Sequence, residues 1–175
     1  MAQKNRPAKT LISSSKIRKR VRELGCQISR DYKGKKLVLV GILKGSVIFL
    51  ADLLREIDLP VELDFIQVSS YGTSKTSSGA IKIKKDIDLP IAGKHVLIIE
   101  DIVDYGYTMD YLFKFIKSKK ARSVRVCTLL NKTSRREVDV SIAYQGFEVP
   151  DKFIVGYGLD FAEKMRNLPS IKSIG

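Results

Sequence analysis

Glu100 and Asp101 stand side by side, Asp104 follows three residues later, and Gly106 and Thr108 close the run Glu100-Asp101-Ile102-Val103-Asp104-Tyr105-Gly106-Tyr107-Thr108. Before it lies the apolar stretch Val96 to Ile99, and after it Met109, Leu112, Phe113 and Ile116 recur at helical spacing. The run therefore sits in a turn between a buried strand and a helix. Ligands of open α/β sheets bind at the carboxyl ends of strands, where turn amides and the next helix's N-terminus make a cradle for phosphate. Two adjacent carboxylates beside such a cradle can grip ribose hydroxyls or a bound Mg²⁺, which points to a sugar phosphate. The Gly-rich fingerprints of plain nucleotide sites are absent. On spacing alone, the same acids also fit a strand that simply ends in solvent.

The flanking elements must position this turn. Leu37 to Ile42 has the length and β-branched content of a buried strand, and Leu43-Lys44-Gly45-Ser46 opens an apolar stretch, Val47 to Ile57, that reads as a helix with Ser46 as its cap. Val61 to Ser69 is a second strand. Ser70 to Gly79 holds four Ser, two Thr and two Gly, too small and polar to pack, so a mobile loop is expected. Ile81 to Lys84 returns as a strand, and Gly93-Lys94 leads into a third core strand, His95 to Asp101, which makes His95 a structural or surface residue at a strand entry. Ser123 to Leu130, Val138 to Tyr144 and Lys152 to Gly156 supply further strands. Strands alternating with helices give an α/β fold with a core from Leu37 to about Tyr157. Without repeats or linkers, residues 1–175 read as one domain, with 1–12 as a flexible basic tail.

The formal net charge is +13, and it is lopsided: residues 1–36 hold 12 Lys or Arg against 2 Asp or Glu (+10), leaving +3 for the other 139. Within that segment Ile17, Val21, Leu24 and Ile28 form one apolar face, with Lys16, Lys19, Arg20 and Arg22 around it. This basic amphipathic helix reads first as a solvated outer face on a helix packed against the domain, with an anion, RNA or membrane-surface role as the alternative. No apolar run approaches the roughly 20 residues of a bilayer span, and the polar, basic start does not read as a secretory signal, so a cytoplasmic protein is expected. Cys26 and Cys127, far apart and without metal spacing, read as core thiols.

Five motifs carry a resemblance beyond these patterns. The run Glu100 to Thr108, Leu43-Lys44-Gly45-Ser46, Ser69-Ser70-Tyr71-Gly72, Leu129-Leu130-Asn131-Lys132 and Asp151-Lys152-Phe153-Ile154-Val155-Gly156-Tyr157-Gly158-Leu159-Asp160 stand in register with one family. The chain resembles the type I phosphoribosyltransferases, in their hypoxanthine-guanine branch, from about Ile12 to Ile174. That resemblance implies a mostly parallel central sheet flanked by helices, with a small hood and a flexible loop. It also implies Mg²⁺-dependent purine salvage, in which phosphoribosyl pyrophosphate and hypoxanthine or guanine give IMP or GMP and pyrophosphate. A homodimer or homotetramer is implied too.

Residue roles follow from the same resemblance. Glu100 and Asp101 would hold the ribose hydroxyls directly or through Mg²⁺, with Asp160 as a further metal-side acid. The backbone of Asp104, Tyr105, Gly106, Tyr107 and Thr108 would bind the 5′-phosphate, and Asp104 would accept a proton from N7 of the purine. Lys44 and Gly45, behind a cis Leu43-Lys44 peptide, and Arg166 would take the pyrophosphate. Lys132 would donate to O6, Phe153 would stack on the base, and the main chain around Ile154 would read its N1 and N2 edge. Adenine would be refused, because Lys132 offers only donors where adenine presents an amine. Ser70 and Tyr71 would tip the loop that closes over the reaction.

Two positions depart from the pattern. Tyr105 stands where the family usually has Thr or Ser, which removes one hydroxyl from the phosphate shell and implies weaker binding of the ribose donor. Asn131 stands where many bacterial relatives carry Asp. The rival readings are an RNA-binding regulator on the same fold, kept in view by the basic N-terminus, and a xanthine-preferring enzyme. A regulator would have no need of Lys132, Phe153 and Asp160, so a nucleic-acid partner is not expected.

Overall fold

The computed structural model describes residues 9–70 and 81–175, with only the backbone for Ser70. In chain order the elements are β1 (Lys9–Ile12), α1 (Ser14–Asp31), β2 (Leu37–Leu43), α2 (Val47–Arg55), β3 (Val61–Ser70), β4 (Ile81–Lys85) and β5 (His95–Val103). There follow α3 (Tyr107–Ser118), β6 (Ser123–Asn131), a 3₁₀ turn (Thr133–Arg135), β7 (Ile142–Glu148), β8 (Phe153–Val155) and β9 (Ile171–Ile174). Six strands form one sheet in the order β4-β3-β2-β5-β6-β7. Its pairings are parallel except β3 with β4, so the expected α/β architecture is observed. The strand order reverses at β2, which leads outward to β3 while β5 starts the other half. The carboxyl ends of β2 and β5 therefore lie side by side, where such sheets open a crevice.

Successive residues of the central strands face opposite layers. Leu37, Leu39, Leu97 and Ile99 join the core beneath α1 and α2. Val38, Val40, Val96 and Ile98 join the core beneath α3, with Met109, Leu112 and Ile116. Both strands are buried on both faces, which explains their continuous apolar runs. Burying Ile17, Val21, Leu24 and Ile28 of α1 contributes about 1.5–3 kcal/mol each as an upper bound. That face is spent inside the fold, so it offers no surface to a second copy. Gly25 lets α1 approach α2, for a β-carbon there would lie 2.5 Å from Glu56 O.

The structure corrects several expectations. Lys9–Ile12 is not a flexible tail but β1, which pairs antiparallel with β9, itself paired with β8. This small sheet supplies the hood, and Ile12 and Ile171 extend the core past both expected limits. Residues 1–8 lie outside the described residues, as does the loop expected to be mobile from position 71 onward.

Helix α2 ends at Arg55 rather than Ile57, and Ser46 does not cap it. Ser46 has helical backbone angles, so its Oγ donates back to Ile42 O at 2.6 Å. The last strand of the large sheet spans Ile142–Glu148 rather than Val138–Tyr144, because residue 138 bonds elsewhere. Cys127 is buried as expected, whereas Cys26 is exposed on α1. His95 does stand at a strand entry, half-buried, with Nδ1 2.7 Å from Ser123 Oγ. Among the described residues no helix is long and apolar enough to cross a membrane.

Candidate active site

β5 runs two residues beyond Asp101, because Ile102 and Val103 still pair with Leu130 and Asn131 of β6. Glu100 and Asp101 are thus rigid strand residues, not a frayed end. Asp101 N–H donates to Glu100 Oε1 (3.1 Å), and Ile102 N–H donates to Asp101 Oδ1 (2.9 Å). Burial first, then the Asp101 carboxylate beside it, pushes the Glu100 carboxyl well above the usual carboxylate range. A cation at this point would relieve both causes.

β2 ends opposite, in a cis Leu43-Lys44 peptide followed by Gly45. Gly45 touches Asp101 so closely that a β-carbon would lie 1.8 Å from Asp101 Oδ2. On its other side, a β-carbon on Gly158 would lie 2.0 Å from Gly45 O. Lys44 Nζ reaches Glu163 Oε2 (2.9 Å), Glu163 reaches Arg166 Nη2 (3.3 Å), and the same Nη2 lies 2.7 Å from Asp160 Oδ1. Arg166 also donates to Gly158 O at 2.8 Å. Lys44, Asp160 and Arg166 are thereby joined in one chain of charges through Glu163. The segment carrying Asp160, Glu163 and Arg166 is bent by positive φ at Gly156, Tyr157, Gly158, Ala162, Glu163 and Met165. Such backbone clusters at functional sites.

The turn after β5 leads through Gly106, at φ 100°, into the N-terminus of α3. Asp104 opens it. Its Oδ1 is buried without a hydrogen-bond partner among the described residues, while Oδ2 lies 3.4 Å from Arg135 Nη1 and 3.9 Å from Lys132 Nζ. Lys132, at the end of β6, is itself buried and donates to Lys152 O at 3.1 Å. Asp151 completes a square of alternating charge, 3.7 Å from Lys132 and 3.5 Å from Arg135. Arg135 Cζ lies 4.4 Å from the centre of the Tyr105 ring, and Tyr107 OH donates to Glu137 Oε2 at 2.5 Å. Nearby, Phe153 is 52% exposed and meets Phe161 edge to face at 5.5 Å, while Ile154 is buried.

The chain also matches a family model, that of the phosphoribosyl transferase domain, over residues 8–162. It belongs to the phosphoribosyltransferase family. Among phosphoribosyltransferases it is 49% identical over 163 residues to the hypoxanthine-guanine phosphoribosyltransferase of Bacillus subtilis (strain 168), covering 93% of this chain and 91% of that one. It is 48% identical over 167 residues to the hypoxanthine phosphoribosyltransferase of Haemophilus influenzae, covering 94% and 93%. A crystal structure of a hypoxanthine-guanine phosphoribosyltransferase from Bacillus anthracis, with a HEPES molecule in its active site, superposes with a TM-score of 0.92 at 47% identity, covering 95% and 98%.

For a phosphoribosyltransferase chain, the structure sorts the residues named from sequence into three groups. Asp104 stands with Lys132, Gly45 stands against Asp101, and Asp160 pairs with Arg166. Asp160 does not join Glu100 and Asp101, and among the described residues no three potential ligands gather around a metal position. Tyr71 and the side chain of Ser70 lie outside the described residues. Sequence reasoning missed Arg135, Arg136, Asp151 and Glu163. The first two, three and four residues after Lys132, were legible as one turn of basic side chains beyond a strand end. Glu163 gave no signal, because only the bent 157–166 segment brings it to Lys44.

Proposed function

We propose that this chain salvages purines in the cytoplasm by transferring the 5-phosphoribosyl group of phosphoribosyl pyrophosphate to hypoxanthine or guanine, giving IMP or GMP and pyrophosphate. The observation that carries this reading is the pair Asp104 and Lys132. Asp104 Oδ1, a buried acceptor with no partner among the described residues, stands beside a buried ammonium 3.9 Å from its other oxygen. A 6-oxopurine presents N7–H and O6 side by side, a donor and an acceptor that match this pair in order. Adenine presents an amine at the second position and would leave the ammonium of Lys132 unpaired. The names of the relatives from B. subtilis and H. influenzae support the same substrates.

In the proposed reaction the C1–O bond to pyrophosphate breaks with its electron pair leaving on oxygen, and the purine nitrogen forms the new bond to C1. Asp104 takes the proton lost from the base. Amides of residues 104–108 and the Thr108 hydroxyl hold the 5′-phosphate, helped by the positive end of α3. Lys44, the Gly45 amide and Arg166 offset charge on the pyrophosphate. Phe153, half-exposed, stacks on the base.

Glu100 and Asp101 fit a magnesium ion by donor chemistry. Mg²⁺ takes oxygen ligands and is commonly held by one or two carboxylates with substrate phosphates, and these adjacent acids carry a repulsion that a cation offsets. When bound there it would supply charge stabilisation to the departing pyrophosphate. Asp160 enters this reading less directly, since Arg166 holds it at 2.7 Å.

Pyrophosphate release, measured with Mg²⁺, the ribose donor and each of hypoxanthine, guanine, xanthine and adenine, tests the proposal. Turnover on the first two is expected, and none on adenine. A chain that turns over no purine would instead fit the regulator reading. The proposal includes a homodimer or homotetramer, which sedimentation equilibrium reads directly.

A further inference from the structure

Three consecutive carbonyls, of the last residue of β5 and the first two of the turn after it, face one short segment, residues 132–138. Val103 O accepts from Lys132 N–H (3.0 Å) and Arg136 Nη2 (3.4 Å), and Asp104 O accepts from Arg136 Nε (2.9 Å). Tyr105 O accepts from the N–H groups of both Glu137 and Val138, at 3.0 Å each. A trans peptide is planar, so a carbonyl fixed on one side sends the following N–H to the other. The amides of Asp104, Tyr105 and Gly106 therefore point away from Arg136, and they donate to no other described residue. The turn is pressed flat against this support, for a β-carbon on Gly106 would lie 2.3 Å from Val138 O.

Arg136 is half-buried, and its acceptors are all uncharged: two carbonyls and Asn131 Oδ1. The nearby acids Asp104 and Asp151 pair with Arg135 instead, so among the described residues Arg136 has no carboxylate partner. The Asn131 amide is held with its oxygen toward Arg136, because its nitrogen donates to Gln145 Oε1 at 2.8 Å. A charged donor on a carbonyl polarises the peptide and makes the N–H beyond it a stronger donor. The positive charge thus lies directly behind a row of free amides.

We propose that Arg136 is a positioning residue of the phosphate site. It locks the turn's carbonyls outward, and its charge, left unpaired by Asn131, strengthens the grip of the amides on the 5′-phosphate. The inference rests on the phosphoribosyl transfer proposed above.

Two variants of the full chain separate the lock from the charge. Arg136→Gln loses both, whereas Asn131→Asp keeps an acceptor for Arg136, makes that bond charge-assisted and cancels the charge. Gln145 can turn its amide to donate to the new carboxylate. Calorimetry with ribose 5-phosphate alone, and KM for phosphoribosyl pyrophosphate in turnover, read the phosphate site. Arg136→Gln is expected to weaken both by about tenfold or more, the scale of a charged hydrogen bond. Asn131→Asp is expected to weaken both by roughly two- to fivefold with kcat little changed, the scale of one charge beside an anion at a helix N-terminus. A purely structural anchor would leave Asn131→Asp at wild-type affinity for ribose 5-phosphate, and that result overturns the proposal. If the wild type turns over no purine, the function proposed above fails, while the calorimetry still decides the role of Arg136.

Discussion

Gly45 lies against Asp101 with no room between them: a β-carbon on the glycine would stand 1.8 Å from Asp101 Oδ2. Gly158 presses from the other side, at 2.0 Å from Gly45 O by the same measure. Gly45→Ala must therefore displace Asp101 or the backbone after β2, both in the proposed machinery. A displacement near 1 Å at reacting groups costs about 100-fold in rate. Steady-state kcat/KM for the ribose donor should fall by about that factor, with KM for the purine little changed. Unchanged kcat/KM would mean that Asp101 needs no fixed place.

Asp104→Asn keeps the size of the side chain but removes its ability to take a proton. Oδ1 is buried without a hydrogen-bond partner among the described residues, since Asp104 meets Lys132 and Arg135 through Oδ2. The kcat should fall about 10²- to 10⁴-fold, the usual contribution of a positioned base. Binding of ribose 5-phosphate, which does not use this oxygen, should persist in calorimetry. A loss of both together would point to a collapsed turn rather than to lost chemistry.

How much of this was legible in the sequence depended on whether a residue acts through its neighbours in the chain or across the fold. The run from Val96 to Thr108 could be read as strand, turn and helix because one short segment carries the periodicity, the acids and the glycine. Asp104 and Lys132 were each found by motif, yet their 3.9 Å approach exists only because β5 and β6 are parallel neighbours. β1 and β9 left no local trace. They are four residues each, and they are strands only because the two ends of the chain pair with each other. The start of β7 was misplaced for a related reason, since Val138 N–H bonds Tyr105 O and cannot open a ladder.

Phe153 is 52% exposed in spite of its size, with one edge contact to Phe161 at 5.5 Å. Exposure of such a ring beside buried Ile154 suits a surface waiting for a base. Phe153→Ala should raise KM for hypoxanthine about 5- to 100-fold, since stacking a base on an aromatic ring is worth roughly 1–3 kcal/mol. Folding stability should fall by no more than about 1.5 kcal/mol, the most that an edge-to-face pair supplies. A large stability loss with unchanged KM in urea titration and kinetics would make Phe153 a core residue instead.

Tyr105 turns its ring beneath Arg135, 4.4 Å from ring centre to Cζ, and stands where a small hydroxyl would be usual for the family. Tyr105→Thr exchanges a cation–π contact worth about 0.5–1 kcal/mol for a short hydroxyl beside the turn amides. Affinity for phosphoribosyl pyrophosphate should rise roughly 2- to 10-fold, the net worth of one hydrogen bond. Calorimetry reads it directly. Equal or weaker binding would show that the phenol and Arg135 already serve the donor.

The chain has one histidine, so one imidazole can be followed alone. Burial first, then the charges of Arg122, Lys35 and Arg125, holds the His95 pKa below 6.5 in the folded state. An unfolded imidazole takes up its proton as pH falls through about 6.5, while folded His95 stays neutral until a lower pH. The unfolded state therefore binds more protons in that window, and stability declines as pH drops from about 6.5 to the folded pKa, then levels as far as this residue is concerned. Proton NMR of the imidazole should give a midpoint below 6.5, and His95→Gln should flatten the urea-unfolding free energy just below about pH 6.5. A midpoint at or above 6.5 would place the ring in contact with solvent and out of reach of the three cations.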